Sequence, residues 1–578
     1  MNPQSTEYSA TITPLLMYYC AMALMLSMIA FFQYACFNYV ALSVIRRLRR
    51  SFFRLMLHQS NEYFQIEENQ FAINSFCSDL QALSTIIIDI LPGIIIAIVQ
   101  LVAAAVISYL STWRLSWLIS ALAIGCGIWV AILQKFIQLE TINEAKLTLK
   151  LSQSIDSQEK YQKLLKQQMN SGIRKGLLQG TLTGSLQFFP FLGWGAAALY
   201  GNWLLGRDLM NLPSYIYVCV STLIPACVRI GQLPQLLIPL IVLPKIGKTM
   251  KTVKTEISKI STKDNDVDAK QRKKEFLISF LKTEIGVLPE ELNGYPSPTF
   301  KQVHKDASSH WFLYFVGFLC CGMVGVSMCA LTKLNGNMFE FYNKTNIRTF
   351  FGRGARISVD YLIVGVTTFI CGIIAAFDNH LGAFIIAILG IICAILSNVH
   401  KSLTFTFLTS VAFTLQVVAQ IFVIRFAEIC TENANEVLHQ KGLEIVSTFE
   451  AIEDISNRLD DIQKLYNSYL TFTFRKQYST IFSKALRFSF IFAVPQVTQA
   501  ISYAMGSYMV INKILTPVSV YKIVQTIYNA LGGVAIIAQY PQDVQASRLA
   551  AQKIDENLEL SNIMIHKKNV SVSATADN

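Results

Sequence analysis

Two groups of residues set aromatic faces beside amide groups inside otherwise apolar runs. Gln187, Phe188 and Phe189 form the first; Phe490, Phe492, Gln496, Gln499, Tyr503, Gln525 and Tyr528 form the second. Amide donors and acceptors among aromatic rings suit amphipathic or cationic apolar solutes, through dispersion, cation–π contact and a few hydrogen bonds. Packing against lipid or neighbouring helices is the competing role for each of them. Bond-making chemistry has fewer candidates. The seven histidines (His58, His304, His310, His380, His400, His439, His566) are scattered, with no H-E-x-x-H motif and no i,i+4 pair. No spacing supports a Ser-His-Asp or Cys-His arrangement. No G-x-x-x-x-G-K-[ST] loop is present to cradle phosphates on backbone N–H groups, and no LSGGQ-like stretch accompanies one. Leu531-Gly532-Gly533 lies within an apolar run, where small residues let helices approach closely. The expectation is a chain that is not an enzyme by itself and binds no cofactor or metal of its own. Asp89 is the one acid well inside the early apolar runs; an intramembrane carboxylate is costly and often functional, although a structural pairing is equally open here.

Composition fixes what must position these residues. Of 578 residues 53% are apolar and 15% charged, and the mean hydropathy is +0.42. A soluble globule of this length needs far more polar surface, so the chain reads as an all-α polytopic membrane protein with the lipid bilayer as its first partner. The net charge of +12 is concentrated in Arg46–Arg54, Lys160–Lys175 and Lys245–Lys274, which marks cytosolic flanks under the positive-inside rule. These clusters lie beside membrane runs, so nucleic acid is not an expected partner. The twelve cysteines form no C-x-x-C pair and lie mostly in apolar runs, as packing thiols do. The first apolar run is too long for a signal-peptide core and lacks a basic n-region.

Five apolar runs precede the basic stretch 245–310: Leu15–Val44, Ile86–Leu110, Leu118–Phe136, Leu177–Leu205 and Leu212–Leu243. Six follow it: Trp311–Leu331, Ile357–Phe377, Leu381–Leu396, Leu403–Phe426, Leu486–Ile511 and Val518–Ala538. About eleven spans are therefore expected. Polar, helix-forming stretches Gln138–Lys175 and Glu428–Ser483 read as long cytosolic helical excursions. Both halves end as hairpin, excursion, hairpin and cytosolic exit, an internal repeat at half-chain scale. Asn343-Lys344-Thr345 is an N-glycosylation pattern, in tension with the nearby Lys344, Arg348, Arg353 and Arg356. A helix-forming tail Val544–Leu560 leads to a polar, disordered segment 561–578.

Several short patterns in register resemble the transmembrane part of an ATP-binding-cassette (ABC) exporter of the P-glycoprotein type. Phe52-Phe53, Leu57, Gln59 and Tyr63-Phe64 resemble the family's stretch around its first cytosolic coupling helix. Asp79-Leu80, Leu83, Asp89 and Trp113-Arg114-Leu115-Ser116 follow its pattern along the next two spans. Tyr161, Leu165 and Gly172-Ile173-Arg174-Lys175-Gly176 look like the run into its fifth span. Gly506-Ser507-Tyr508-Met509-Val510 resembles its G-x-Y-L-V, and Pro541-Gln542-Asp543 with Ala546–Ile554 looks like the helix that leads into a nucleotide-binding domain.

The resemblance implies two transmembrane domains in tandem, 1–244 and 311–560. The linker 245–310 stands where a nucleotide-binding domain would be inserted. Departures are present too. The family's first span has no counterpart before Leu15, and Ile357–Phe377 runs almost directly into Leu381–Leu396 where the family has long cytosolic helices. The resemblance implies export of amphipathic small molecules, powered by ATPase domains supplied by another chain or a missing part, with ATP acting only through them. The plasma membrane is the expected location, an endomembrane the other. Three rivals stay open: a motorless relative that binds or regulates another ABC transporter, a truncated isoform or gene fragment, and a secondary transporter of two-by-six-helix type, whose short loops fit the excursions poorly.

Overall fold

The computed structural model describes residues 6–59, 76, 79–80, 82–153, 158–207, 209–210, 214–232, 244, 246–248, 251, 267–285, 311–344, 350–375, 379–452 and 458–530. The described residues build helices throughout: α1 (Thr6–Leu57), a π-helical turn (Ile86–Ile90) continuing into α2 (Leu91–Ser111), α3 (Trp113–Gln153), α4 (Gln158–Gly206) and α5 (Ser214–Gly231). Within the linker lies α6 (Val267–Ile285). The second half contributes α7 (Trp311–Lys344), α8 (Phe350–Ala375), α9 (Asn379–Val399), α10 (Leu403–Ala451), α11 (Leu459–Ile511) and α12 (Pro517–Ala530). Seven of these, α1, α2, α3, α5, α7, α8 and α10, are long and apolar enough to cross a membrane. Their outward faces carry exposed Leu, Ile, Phe and Trp side chains, such as Leu110, Trp117, Phe407 and Phe422, a surface that suits lipid. The protein is an all-α polytopic membrane protein.

The two polar excursions are extensions of membrane helices. α3 and α4 run on as 41- and 49-residue helices, α10 and α11 as 49- and 53-residue helices. Lys175 and Glu144, 2.7 Å apart, tie α4 to α3 in the first excursion, with Ser171 donating to Glu140 beside them. The turn between α2 and α3 is a single extended residue, Thr112, and Trp113-Arg114-Leu115 opens α3. Residues 531–578, including the expected tail helix, lie outside the described residues, as do 286–310.

Pairing between the halves follows two kinds of seam. Along α1 and α11 the seam is aromatic: Tyr34 stacks on Phe488 at 4.8 Å, Phe31 meets Phe482 edge-on, Tyr39 contacts Phe474 and Tyr478, and Arg46 lies over Phe474. Along α4 and α8 it is made of glycine. A Cβ on Gly184 would lie 2.6 Å from the Phe369 carbonyl oxygen, and one on Gly372 would lie 2.6 Å from Gly184 Cα. Gly180 and Gly184, one turn apart, form the small-x-x-x-small spacing that brings membrane helices to backbone contact. Pro190 and Pro495 each stand 16 residues before the last residue of their helix, from 190 to 206 and from 495 to 511. A proline frees the carbonyl four residues earlier. For Pro495 that carbonyl is Ile491 O, which accepts from Gln420 Nε2 of α10 at 3.4 Å, so the break is satisfied inside the bundle.

At the end of the bundle that carries Arg46–Arg54 a separate apolar core forms. Phe52, Phe53, Met56 and Leu57 of α1 meet Ile445, Val446 and Phe449 of α10 and Ile462, Tyr466 and Leu470 of α11. α6 closes it. Leu277, Phe280 and Leu281 fall on one stripe of this helix and are buried in that core. On the flank, Lys273 donates to the carbonyl oxygens of Leu57 (3.1 Å) and Gln59 (2.7 Å), and Lys274 to that of Glu450 (2.9 Å). Basic side chains thereby satisfy carbonyls at the C-terminal ends of α1 and α10, where the helix dipole favours positive charge.

Candidate functional site

A polar network runs in two arms through the half of the bundle away from Arg46–Arg54. It begins on α1, where the Tyr19 hydroxyl sits between two amide oxygens of α11: Gln499 Oε1 at 2.6 Å and Gln496 Oε1. Gln496 and Gln499 are three residues apart and so share a helix face. Each reaches on to α12: Gln496 Nε2 donates to the Tyr528 hydroxyl at 3.1 Å, and Gln499 Nε2 to Gln525 Oε1 at 2.8 Å. Tyr503, a turn further along α11, also donates to Gln525 Oε1, at 3.4 Å. Gln525 then donates to Asn529, and Asn529 to Thr332 of α7 at 3.0 Å.

A second arm starts from Asn335, one turn from Thr332. The Tyr361 hydroxyl of α8 donates to Asn335 Oδ1 at 2.6 Å. Tyr521 of α12 and Tyr217 of α5 both pack against Phe339 of α7. Aromatic rings fill the space between these groups. Phe339 meets Tyr521 edge-on at 5.2 Å and Tyr217 at 5.9 Å, and Trp194 packs on Tyr217 and Tyr361. Hydrogen bonds thus link α1 of one half to α11, α12 and α7 of the other, and α8 to α7, while α5 meets them through ring packing. Buried amides in a membrane must find partners, and here they find one another.

Gln496, Gln499, Tyr503, Gln525 and Tyr528 therefore converge. The remaining candidates lie elsewhere. Phe490 is half-buried on α11 outside the network, and Phe492 is exposed, packed edge-to-face on Phe488. Gln187, Phe188 and Phe189 belong to α4: Phe188 tilts against Phe369 of α8, Phe189 is buried in a core that the first half shares with α7 and α8, and Gln187 Oε1 is buried with no hydrogen-bond partner. Asp89 is exposed in the π-helical turn. Asn343 lies in the last turn of α7; Thr345, which completes its glycosylation pattern, is outside the described residues. Sequence reasoning missed Tyr19, Tyr217, Thr332, Asn335, Tyr361, Tyr521 and Asn529. The signal that finds several of them is spacing: Tyr521, Gln525 and Asn529 recur every fourth residue, and Thr332 and Asn335 are three apart.

Chemically the network is a neutral set of hydroxyls and amides among rings, with no carboxylate in its chain of hydrogen bonds. It can exchange internal hydrogen bonds for those of a polar group on a guest while the rings cover the guest's apolar body. Among the described residues no group of three or more His, Cys, Asp or Glu is placed to hold a metal ion. A groove of about 910 Å³ on the bundle flank, between α7, α8 and α9, is lined by Phe318, Met323, Val326, Ile363, Leu389 and Leu396 among others, an apolar surface suited to lipid chains.

Residues 1–158 match the family model for the ABC transporter transmembrane region, which takes in α1, α2 and α3. Over 230 residues the chain is 21% identical to P-glycoprotein 14 of Caenorhabditis elegans. That stretch is 37% of this chain and 17% of the relative, so the match spans about a sixth of the relative's length. With its long apolar helices, the chain is a multi-pass membrane protein whose residues 1–158 match the transmembrane region of ABC transporters.

Proposed function

We propose that the bundle binds amphipathic small molecules at the tyrosine–glutamine network and forms the membrane-spanning part of a transporter powered by ATPase domains outside these 578 residues. The observation that carries this reading is the junction of Tyr19 with Gln496, Gln499, Gln525 and Tyr528, which joins helices of both halves through groups that a guest can replace. Alternating access needs a site shared by parts that move relative to each other, and a network across α1, α11 and α12 is shared in this sense. The plasma membrane remains the preferred location. The test is fluorescence titration of the full chain, in phosphatidylcholine nanodiscs, with an uncharged dansylated dodecyl amide. Saturable binding that weakens about tenfold in Gln499→Leu/Tyr528→Phe supports the reading; binding that is non-saturable, or unchanged in the variant, overturns it.

A second reading draws on α6. This helix seals the cytosolic ends of α1, α10 and α11, next to the Phe52-Phe53 stretch that resembles the family's coupling region. A bundle closed there by its own linker fits a motorless protein that binds or regulates another ABC transporter. Affinity purification in mild detergent separates the two. Co-elution of a separate nucleotide-binding subunit supports transport, and co-elution of a full-length ABC transporter supports regulation.

A further inference from the structure

Sulfur is concentrated where α7 meets α8 and α9. Cys320, Cys321, Met323, Met328 and Cys329 fall within one short stretch of α7, and Cys371 lies on α8. Cys320 and Met323 are three residues apart and so share a face of α7. From α8, the Cys371 thiol donates to Met323 Sδ at 3.7 Å. Cys320 and Cys371 are both buried and pack in one cluster with Cys321 and Val324. Met323 is 42% exposed and stands on the wall of the groove between α7, α8 and α9. Two buried thiols thus lie behind one accessible thioether, all within the apolar spans 315–341 and 354–374. The C-x-x-M spacing of Cys320-Cys321-Gly322-Met323 is one that a C-x-x-C pattern passes over, so it played no part in the expectation of a metal-free chain.

The donor set selects a class of ion. Thiol and thioether sulfur are soft, and among biological metal ions they favour Cu(I). Zinc draws instead on thiolate, imidazole and carboxylate, and the described residues offer no group of three His, Cys, Asp or Glu here. Metal–sulfur bonds of about 2.3 Å place two sulfurs of a three- or four-coordinate centre about 3.7–4 Å apart. Cys371 and Met323 therefore need no movement to share an ion. Charge points the same way. A monovalent ion with one thiolate is a neutral pair, and the second thiol and the thioether add donors without adding charge. A divalent ion would need a second anion in a place where net charge is costly.

We propose that Cys320, Met323 and Cys371 form a binding site for a soft monovalent metal ion, Cu(I), between α7 and α8. On binding, the ion takes the place of one thiol proton, which leaves to solvent, and no electron is transferred. The site is separate from the tyrosine–glutamine network and does not rest on the function proposed above.

The test is anaerobic titration of the reduced full chain, in phosphatidylcholine nanodiscs, with Cu(I) in competition with bicinchoninate. The parent is expected to withdraw one equivalent that Cys371→Ser fails to withdraw. Met323→Leu is expected to bind about tenfold or more weakly, at least the loss that follows from removing a ligand's supporting partner. Cys36→Ser, at an exposed thiol, should behave as the parent. Leucine for methionine conserves volume, so Met323→Leu carries the test if Cys371→Ser does not fold. Cu(I) should also raise the melting temperature of the parent more than that of Met323→Leu, since only the folded bundle brings the three sulfurs together. If the chain leaves all the Cu(I) with the chelator, or if parent and both variants bind it alike, the proposal is overturned. Loss in Cys371→Ser with parental affinity in Met323→Leu overturns it too, because a thiol pair would then hold the ion without the thioether.

Discussion

Tyr19 and Gln499 stand 480 residues apart in the chain, and the tyrosine hydroxyl donates to the glutamine Oε1 at 2.6 Å. Gln499 is buried and passes the contact on to Gln525. Hydrogen bonds between membrane helices contribute about 0.6 kcal/mol on average and up to about 1.7. A double-mutant cycle of Tyr19→Phe and Gln499→Leu, read from unfolding in mixed micelles of increasing sodium dodecyl sulfate, should therefore give a coupling of roughly 0.5–1.5 kcal/mol. A coupling of zero would mean that the two residues do not hold each other in the folded protein.

The linker helix makes an independent prediction. Lys273 satisfies the Leu57 and Gln59 carbonyls, and Leu277 is fully buried beside them. Leu277→Ala should weaken docking of α6 by about 2–4 kcal/mol, and Lys273→Met by about 0.5–1 kcal/mol. The readout is tryptic cleavage within 267–285 under native conditions, where about 1 kcal/mol of lost docking means roughly fivefold faster cutting. Equal rates in all three proteins would show that the helix is not held by these contacts.

The sequence made some of this legible and concealed the rest for physical reasons. Apolar length marked α1, α2, α3, α5, α7, α8 and α10, because a bilayer imposes that length on any span. Helix-forming polar stretches marked the extensions of α3, α4, α10 and α11. The convergence of Gln496, Gln499, Gln525 and Tyr528 could be anticipated, since four amide or phenol groups on the last two helices of one half have few places to go. Tyr19 could not. Its partner lies on a helix of the other half, and nothing local to residues 15–44 encodes that crossing. Gln187, Phe188 and Phe189 have the same composition as the second-half group but lie on α4, whose glycines draw it against α8. The decisive residues there are Gly180 and Gly184, which have no side chain to attract notice.

That glycine seam predicts a severe effect from a small change. Leucine at Gly184 would force its Cβ to 2.6 Å from the Phe369 carbonyl oxygen, and the nearest atoms are backbone as well as ring, so α4 and α8 must separate. Gly184→Leu should abolish the monodisperse peak in size-exclusion chromatography, whereas Gly176→Leu, with open space around it, should elute as the parent does. Matching profiles for both variants would refute the close approach of the two helices.

Lys401 gives a pH dependence with a defined sign. Its folded-state value of about 8 lies below the ordinary lysine value of 10.5, chiefly through burial and then through Lys522 and Lys333. Between these two values the unfolded chain binds more protons than the folded one, so stability rises with pH across the window; below about 8 both states are protonated and the penalty is constant. Lys401→Gln should be more stable than the parent below pH 8, and its advantage should shrink as pH climbs towards 10.5. Half-exposure keeps the difference small, so the comparison is of paired melting temperatures in a neutral detergent at each pH. An advantage that grows with pH would contradict the assignment.

The turn between α11 and α12 offers a change that should stabilise. Lys513 has φ of 59°, in the left-handed region. Its N–H donates to Val510 O and that of Ile514 to Met509 O, both at 3.0 Å, which is the paired closure of a helix C-terminus that ordinarily falls to glycine. A side chain in this conformation costs roughly 1–2 kcal/mol, part of which glycine returns through its greater freedom in the unfolded chain. Lys513→Gly should therefore raise stability by about 0.5–1 kcal/mol. A lower melting temperature would show that the lysine makes a compensating contact at the membrane surface.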